Sequence, residues 1–418
     1  MNFHKKTSAP YWGLFAMAVF FTPALMAGEL KLSEALRMAG LRHPSVQAKL
    51  SEVQAANKDV DSARWGRYPS ISVQGTSSNS QPQAALVIQQ PIWEGGRINA
   101  QILLAQATVR QAEGALQETR QTLLQQTSAA FFEILRLRER LQLAQKSESE
   151  HQKLVELIDR RVKAEISPVA DFVLARARKQ QSTSDRIQIE RSLQSALLTL
   201  DQLVGPRSGD PQLPSMVTWE PASEEQWVES AKAFSGELRR LRALVDVAHA
   251  QVQIANSTSW PGLYLVNRQA LGGSGYALTG ARNQTYLSMN FSPGAGLSAA
   301  AAAEAAKARM QTADQGFALY ERQLEQQVRN GLTEARSLEL QRVTSKELIK
   351  ATEEVVDSYL RQYQIGRKNW LDVLNALRES IQAANSAGEI EYGLHAVKLR
   401  LLLSSGQLHL ENMQMIHD

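Results

Sequence analysis

Three groups capable of chemistry share one short stretch, YQIGRKNWLDVLNA from Tyr363 to Ala376: the phenol of Tyr363, the ammonium of Lys368 and the carboxylate of Asp372. Their spacing is that of a chain reversal. A helical pattern runs from about Leu297 to Gln364, and Gly366 then supplies the residue that tolerates the left-handed conformation ending many helices. Asn369 can cap a returning helix whose first turn carries Asp372, near the positive end of the helix dipole. A phenol, an ammonium and a carboxylate on such a turn can form hydrogen bonds and ion pairs and can attract cations. Asp372 also reads simply as an acidic residue favourable at a helix start, and Tyr363 as a packed coiled-coil residue.

No other cluster in the chain suggests a reaction. There is no cysteine, hence no disulfide, no thiolate metal site and no cysteine to lipidate. The seven histidines (4, 43, 151, 249, 395, 409, 417) are scattered, with no pair at metal-ligand spacing. The Gly272-Gly-Ser-Gly275 run lacks a following Lys-Ser/Thr and lies between strand-like pieces, so it reads as a loop and not a phosphate cradle. No Ser/His/Asp constellation or paired carboxylate site stands out, so neither an enzyme nor a cofactor is expected. With 46 basic against 42 acidic residues the net charge is only +4, which argues against nucleic acid as a partner despite a pI near 9.1.

The elements that must position the reversal are long helices. Aromatic residues make up only 6% of the chain, and Ala, Leu, Gln, Glu and Arg dominate. Lys5 and Lys6 followed by the apolar run Tyr11 to Leu25 read as a signal peptide over residues 1–27, with a short membrane anchor as the alternative. No later run approaches the ~20 apolar residues of a spanning helix. Leu32 to Arg64 reads as one helix capped by Ser33. Ser70 to Ser77 and Ala84 to Gln90 read as strands around a turn with Asn79 and Pro82. From Arg97 to Ala164 no proline interrupts a stripe of Ile102, Ala105, Val109, Ala112, Leu116, Leu123, Ala130, Leu137 and Leu141, a coiled-coil seam on a rod roughly 100 Å long. Ser167-Pro168 then opens a helix to Val204, with Pro168 at its first position, and Gly205-Pro206 ends it.

The second half repeats the first. Before the strands the offset is 192, matching Val53 to Val245 and Tyr68-Pro69 to Trp260-Pro261; after them it is 201, matching Gly95 to Gly296, Asp171 to Asp372 and Gly205 to Gly406. The extra nine residues fall in the second strand pair, around Gly272 to Gly275. A constant offset on each side of one insertion marks an internal duplication. Each repeat then holds a long helix and two shorter ones that, end to end, match its length. Two strands per repeat give four, too few to close a barrel, and open strand edges cannot face lipid. Three chains would supply twelve, an even number within the range of outer-membrane barrels. Leu287, Met289 and Phe291 alternate with Tyr286, Ser288 and Asn290, apolar toward lipid and polar toward a lumen, while the other three strands alternate less clearly.

Three motifs carry a family resemblance. The run Gln90-Pro91-Ile-Trp-Glu-Gly95-Gly96-Arg97 is a strand-to-helix junction, answered in the second half by Asn290-Phe-Ser-Pro293-Gly-Ala-Gly296-Leu297. With Tyr363, Gly366, Lys368, Asp372, Val373 and Leu374, these resemble the TolC family of outer-membrane channels. The resemblance implies a mainly α fold with a small β part, in which tandem-duplicated long α-hairpins plus four strands form a trimeric twelve-stranded outer-membrane β-barrel joined to a periplasmic α-helical barrel. On that reading the chain divides into residues 1–27 (signal peptide), 28–205 (first repeat: helix, β-hairpin, long helix, helix), 206–223 (equatorial connection), 224–406 (second repeat) and 407–418 (C-terminal tail).

The function implied is an outer-membrane channel-tunnel, extending into the periplasm of a Gram-negative cell and working as a homotrimer with a periplasmic adaptor and an inner-membrane ABC transporter or other pump. The missing lipidated cysteine and the Asn290 to Leu297 junction resemble type I secretion components, so protein or adhesin cargo is favoured. Drug or metal efflux is the alternative, and a periplasmic coiled-coil scaffold without a pore is a third reading. In the family the inner tip is the gate, which carries over to Tyr363, Gly366, Lys368 and Asp372. Lys368 stands where the best-known member has Arg, and Asn375 where a second aspartate would stand. The outer tip at Glu165, Pro168 and Asp171 has Val162 in place of the tyrosine and Glu165 in place of the glycine, so it should not carry the gate. With three carboxylates in its ring instead of six, the mouth is expected to be blocked by a trivalent cation more weakly than in the Asn375→Asp variant. Conductance inhibition in planar bilayers checks this, and near-identical block in the two proteins would refute it.

Overall fold

The computed structural model describes residues 29–78, 81–205, 209–212, 216–217, 223–271, 283–292, 294–410 and 416–417. The expected signal peptide, Asn79, the loop at 272–275 and Pro293 lie outside the described residues. The first half runs β1 (Glu29–Leu30), α1 (Leu32–Arg42), α2 (Pro44–Trp65), β2 (Ser70–Ser78), β3 (Gln81–Trp93), α3 (Arg97–Lys163), α4 (Val169–Val204), β4 (Asp210–Pro211) and β5 (Met216–Val217). The second runs α5 (Glu224–Phe234), α6 (Gly236–Ser257), β6 (Gly262–Leu271), β7 (Asn283–Asn290), a 3-10 turn (Ala295–Leu297), α7 (Ser298–Gln364), α8 (Trp370–Ser405) and β8 (Ile416–His417). The duplication is visible element by element: α1 and α5 have 11 residues each, α2 and α6 have 22, α3 and α7 have 67, and α4 and α8 have 36.

Several sequence readings are corrected in detail. The single helix over 32–64 is two, because Pro44 has no amide hydrogen to donate and holds His43 in an extended conformation (φ −60, ψ 137). Lys31, not Ser33, stands at the start of α1, and its side chain makes no capping bond. The ring Nδ1 of His43 instead caps α2, accepting from the Ser45 amide at 3.2 Å. In the second repeat Ser235 takes that place and accepts from the Leu238 amide at 3.2 Å. Pro168 is the N-cap of α4 and not its first helical residue. Pro82 lies inside β3, opposite Ser77, and not in the turn. The connection and the tail each carry short strands: β4 pairs in parallel with β1, and β5 pairs antiparallel with β8.

The helices lie side by side as staves. Near the strands α2 packs on α3, α3 on α6 and α6 on α7; toward the hairpin tips α4 packs on α3, α3 on α8 and α8 on α7. Thus α2 and α4 succeed one another along α3, and α6 and α8 succeed one another along α7. Where the short helices change over, a large apolar core gathers Leu36, Phe131, Ile134, Trp227, Leu394, Leu399 and Leu403. Beside it α3 and α6 touch backbone to backbone. A Cβ on Gly236 would lie 2.3 Å from the Glu118 nitrogen, and one on Gly114 would lie 2.6 Å from the Arg240 nitrogen.

The four long strands form one antiparallel sheet in the order β2-β3-β6-β7. Its register resolves the weak alternation. Ile71 and Val73 pair with Ile88 and Leu86, Leu265 pairs with Leu287, and Leu263 pairs with Met289, all on one face. Ser70, Ser72, Gln74, Gln89, Arg268, Gln284, Tyr286 and Ser288 share the other face. Ile71 (71% exposed) and Met289 (70%) show that no described residue covers the apolar side there. Among the described residues no helix is long and apolar enough to cross a membrane.

The tight α3–α6 crossing brings two carboxylates to one arginine. Glu118 and Glu237 lie within hydrogen-bonding reach of each other, and Arg240 Nε donates to Glu118 at 2.7 Å. Burial, and then Glu237, push the Glu118 carboxyl up to about 7. Burial opposes the charge on Glu237, but bonds from Glu118 and Arg240 outweigh it and hold that carboxyl below its usual range. A raised carboxyl pKa means the folded state keeps a proton that the unfolded chain releases above its own value of about 4.5. This contribution is complete in acid and is lost as pH climbs to about 7. Glu118→Gln cannot lose that proton, so wild-type thermal stability in detergent is expected to fall relative to the variant between about pH 5 and pH 8. Parallel melting profiles would show that the pair holds no shared proton.

Candidate functional site: the hairpin tips and junctions

Both hairpins turn by the same backbone device. At the inner tip the Gly366 amide reaches the Tyr363 carbonyl at 3.0 Å and the Arg367 amide reaches Gln362 at 2.9 Å. At the outer tip Glu165 reaches Val162 at 3.0 Å and Ile166 reaches Arg161 at 2.9 Å. This closure requires a left-handed residue, Gly366 (φ 77) in one and Glu165 (φ 56) in the other. Asn369 then caps α8, accepting from the Leu371 amide at 3.3 Å. Asp372 stands in the first turn of α8 and Asp171 in that of α4.

A small apolar cluster joins the two hairpins just behind the tips: Leu154 and Ile158 of α3, Ala175 of α4, Tyr363 of α7, and Trp370, Val373 and Leu377 of α8. Tyr363 is 4% exposed. Burial, together with the Asp171 charge, raises its phenol pKa, while Arg161 works in the opposite direction. The Arg161 guanidinium lies over the phenol ring, 4.9 Å from its centre. Lys368 sits elsewhere on the tip, 4.3 Å above the ring of Tyr359 and 3.7 Å from the Asp372 carboxylate. Asn375 is exposed and Asp372 half-buried.

The structure therefore brings Tyr363 near Asp171 and pairs Lys368 with Asp372, but does not join the two groups. Sequence reasoning missed Arg161 and Tyr359. Arg161 is one of three basic residues in the last turn of α3, beside Arg160 and Lys163, and nothing in its spacing distinguishes it. Pro168 is exposed at the outer tip.

At the first junction Gly95 (φ 59) and Gly96 (φ 87) turn the chain from β3 into α3. A Cβ on Gly95 would come within 2.7 Å of Trp260 Cβ and 3.1 Å of the Ser257 carbonyl, so space as well as conformation requires glycine there. Arg97 pairs with Glu94 at 2.6 Å, and Pro91 sits opposite Tyr264 beside a strand irregularity. At the second junction Gly294 (φ 79) and Gly296 (φ 57) make the corresponding turn, with open space around Gly296. Exposed aromatics ring this level: Trp65, Tyr68, Trp93, Trp260 and Phe291. Among the described residues no group of three acidic or histidine side chains could hold a metal ion.

The model of the outer membrane efflux protein family matches residues 35–206, which span α1 to α4 almost whole. The first repeat thus carries the sequence pattern of that family, over less than half of the chain. Protein CyaE of Bordetella pertussis is 23% identical over 259 residues, 57% of this chain and 54% of CyaE, so the match spans about half the length of that relative. The solved structure of the outer-membrane channel OprN superposes with a TM-score of 0.78 at 17% identity, over 90% of this chain and 89% of its own. The outer membrane protein VceC of Vibrio cholerae gives 0.77 at 17% identity, over 90% and 96%. The outer membrane channel CmeC of Campylobacter jejuni gives 0.76 at 12% identity, over 91% and 88%. At these identities the likeness is one of fold, and it bears out the duplicated hairpins and four-stranded sheet expected from the motifs.

The left-handed glutamate yields a prediction for the tips. Glu165→Gly is expected to stabilise the outer turn by roughly 0.5–1 kcal/mol, and Gly366→Ala to destabilise the inner one by about 1 kcal/mol. Hydrogen exchange of the tip amides, read by mass spectrometry, would show slower exchange in the first variant and faster exchange in the second. Changes of the same sign would mean that the two turns do not share this geometry in solution.

Proposed function

We propose that three copies of the chain close into a channel-tunnel that carries cargo across the periplasm and outer membrane. The observation that carries this reading is that every layer of the protomer is open at both sides. The sheet ends in β2 and β7, whose outer backbone groups have no strand beside them. These two edges run antiparallel, so each β7 can pair with the β2 of the next copy. The helical layers end in α2 and then α4 on one side and in α7 on the other. Of these edges α4 exposes Val173, Ile187 and Leu198, and α7 exposes Leu340, Val343 and Leu348. Matching open edges on opposite sides close a ring of identical copies. The uncovered apolar face of the sheet fits lipid, and the aromatic level at the junctions fits the membrane interface.

In this assembly Tyr363, Lys368 and Asp372 form the gate at the inner tips. Exposed Ile166 and Val169 on the outer tip, with Ile365 and Leu371 on the inner, give an adaptor protein an apolar surface on which to dock. The adaptor links the channel to an inner-membrane ABC transporter or other pump. Type I secretion of protein cargo is the favoured role, supported by the lack of any cysteine to lipidate and by the Asn290 to Leu297 junction. Drug or metal efflux is the alternative, supported by the family's own description. A pore-less scaffold would need the strands to be loops, and the paired sheet counts against it.

Protein extracted by detergent from outer-membrane fractions should have the mass of three chains. A monomer in the soluble periplasm would end the channel reading. Given a trimer, a deletion strain that loses protein secretion supports the favoured cargo. One that secretes normally but becomes drug-sensitive selects efflux.

A further inference from the structure

We propose that Arg161 is the clasp of the closed tip, the outer-hairpin side chain that holds the inner hairpin in place through the ring of Tyr363. The proposal rests on the channel reading above and adds a residue that the motif at 363–376 does not contain. Arg161 stands in the last turn of α3, and Tyr363 in the last turn of α7. The guanidinium lies 4.9 Å from the ring centre and its Nη1 lies 3.5 Å from the Tyr363 carbonyl. One residue thus meets both the side chain and the backbone of the inner tip, at the helix end where carbonyls carry partial negative charge.

Two orphaned atoms give the contact its character. Arg161 Nε and the Tyr363 hydroxyl are both buried with no hydrogen-bond partner. Among the described residues no carboxylate pairs with Arg161, although Asp171 of α4 acts on the same phenol. This partly buried guanidinium, with no counter-ion among the described residues, is held by the π face beneath it and by its bond to the Tyr363 carbonyl. Further up, where the same hairpins are joined by ion pairs, Arg136 meets Glu389 at 3.4 Å and Lys146 meets Glu353 at 3.7 Å. The joint at the tip is therefore made of one cation–π contact and one long hydrogen bond instead of an ion pair, enough to set a resting position and small enough to release.

Among the described residues the Tyr363 hydroxyl has no hydrogen-bond partner, so the clasp assigns the work to the ring and not to the hydroxyl. This separates the proposal from simple tip stability. In planar bilayers Arg161→Ala should raise the open probability of the full-length assembly by roughly 2- to 30-fold, the range set by one cation–π contact. Arg161→Lys should fall between that variant and wild type, keeping the charge but losing the flat stacking surface. Tyr363→Phe should leave the channel closed, whereas Tyr363→Leu should match Arg161→Ala, and the Arg161→Ala/Tyr363→Leu double variant should add nothing further.

The mass of the detergent particle serves as a control that each variant still assembles. Wild-type conductance in an assembled Arg161→Ala protein would overturn the clasp, as would equal opening by Tyr363→Phe and Tyr363→Leu. If Lys368→Ala or Asp372→Ala opens the pore while Arg161→Ala does not, the clasp fails and the channel reading stands. No conductance from wild type or any variant would overturn both.

Discussion

A backbone amide facing hydrocarbon must find its partner within protein, and this constraint governs the whole molecule. The four-stranded sheet satisfies it internally between β2, β3, β6 and β7 and leaves it unmet along the two outer edges. The apolar face built by Ile71, Val73, Leu265, Leu287 and Met289 makes water an equally poor environment. A closed assembly, as proposed above, would satisfy both edges and face. The helices are tied to the sheet, since α3 and α7 each follow a strand through a glycine-bearing junction. In a closed ring the sheet edges would decide which helices are edges below, and α4 and α7 carry uncovered apolar side chains that suit such edges.

Within that frame the two repeats diverge where function could differ. The packing joints are shared: paired short helices, left-handed tip residues and acidic first turns. The tips differ in side chains. The inner one has glycine at its turn and a buried tyrosine; the outer one has a strained glutamate and supplies the arginine that covers that tyrosine. Duplication gives two equivalent hairpins, and substitution at a few positions makes one of them the support for the other.

Much of this was legible in the sequence because it depends on period and spacing. The long helices, their duplication and the tip reversal follow from heptads, a constant offset and Gly366. The break at His43–Pro44 was signalled by the proline but hidden by the apolar periodicity that continues through it. The amphipathic character of the sheet was blurred because β3 carries apolar residues on both faces, with Ala85 and Val87 buried opposite Leu86 and Ile88. Only the register shows which set lines up with Ile71 and Leu287. Arg161 was illegible because its meaning depends on a ring two hundred positions along the chain, and no local pattern reports a long-range stack. The pairing of Lys368 with Tyr359 was hidden for a related reason, since it crosses a turn whose geometry had to be known first.

The matching lengths of the paired helices have a consequence for how such a chain can change. One residue inserted in α3 would displace everything beyond it by about 1.5 Å and rotate it by about 100°, turning a buried stripe outward along the remainder of the stave. Substitution carries no such penalty, since neighbours can repack around one altered side chain. The two halves have accordingly drifted far apart in identity while keeping helix lengths equal to the residue, and the extra nine residues of the second half fall in the span between its strands. Within each helix the chain conserves measure more strictly than composition, so comparing intervals between its glycine and proline joints is a more sensitive test of common descent than comparing letters.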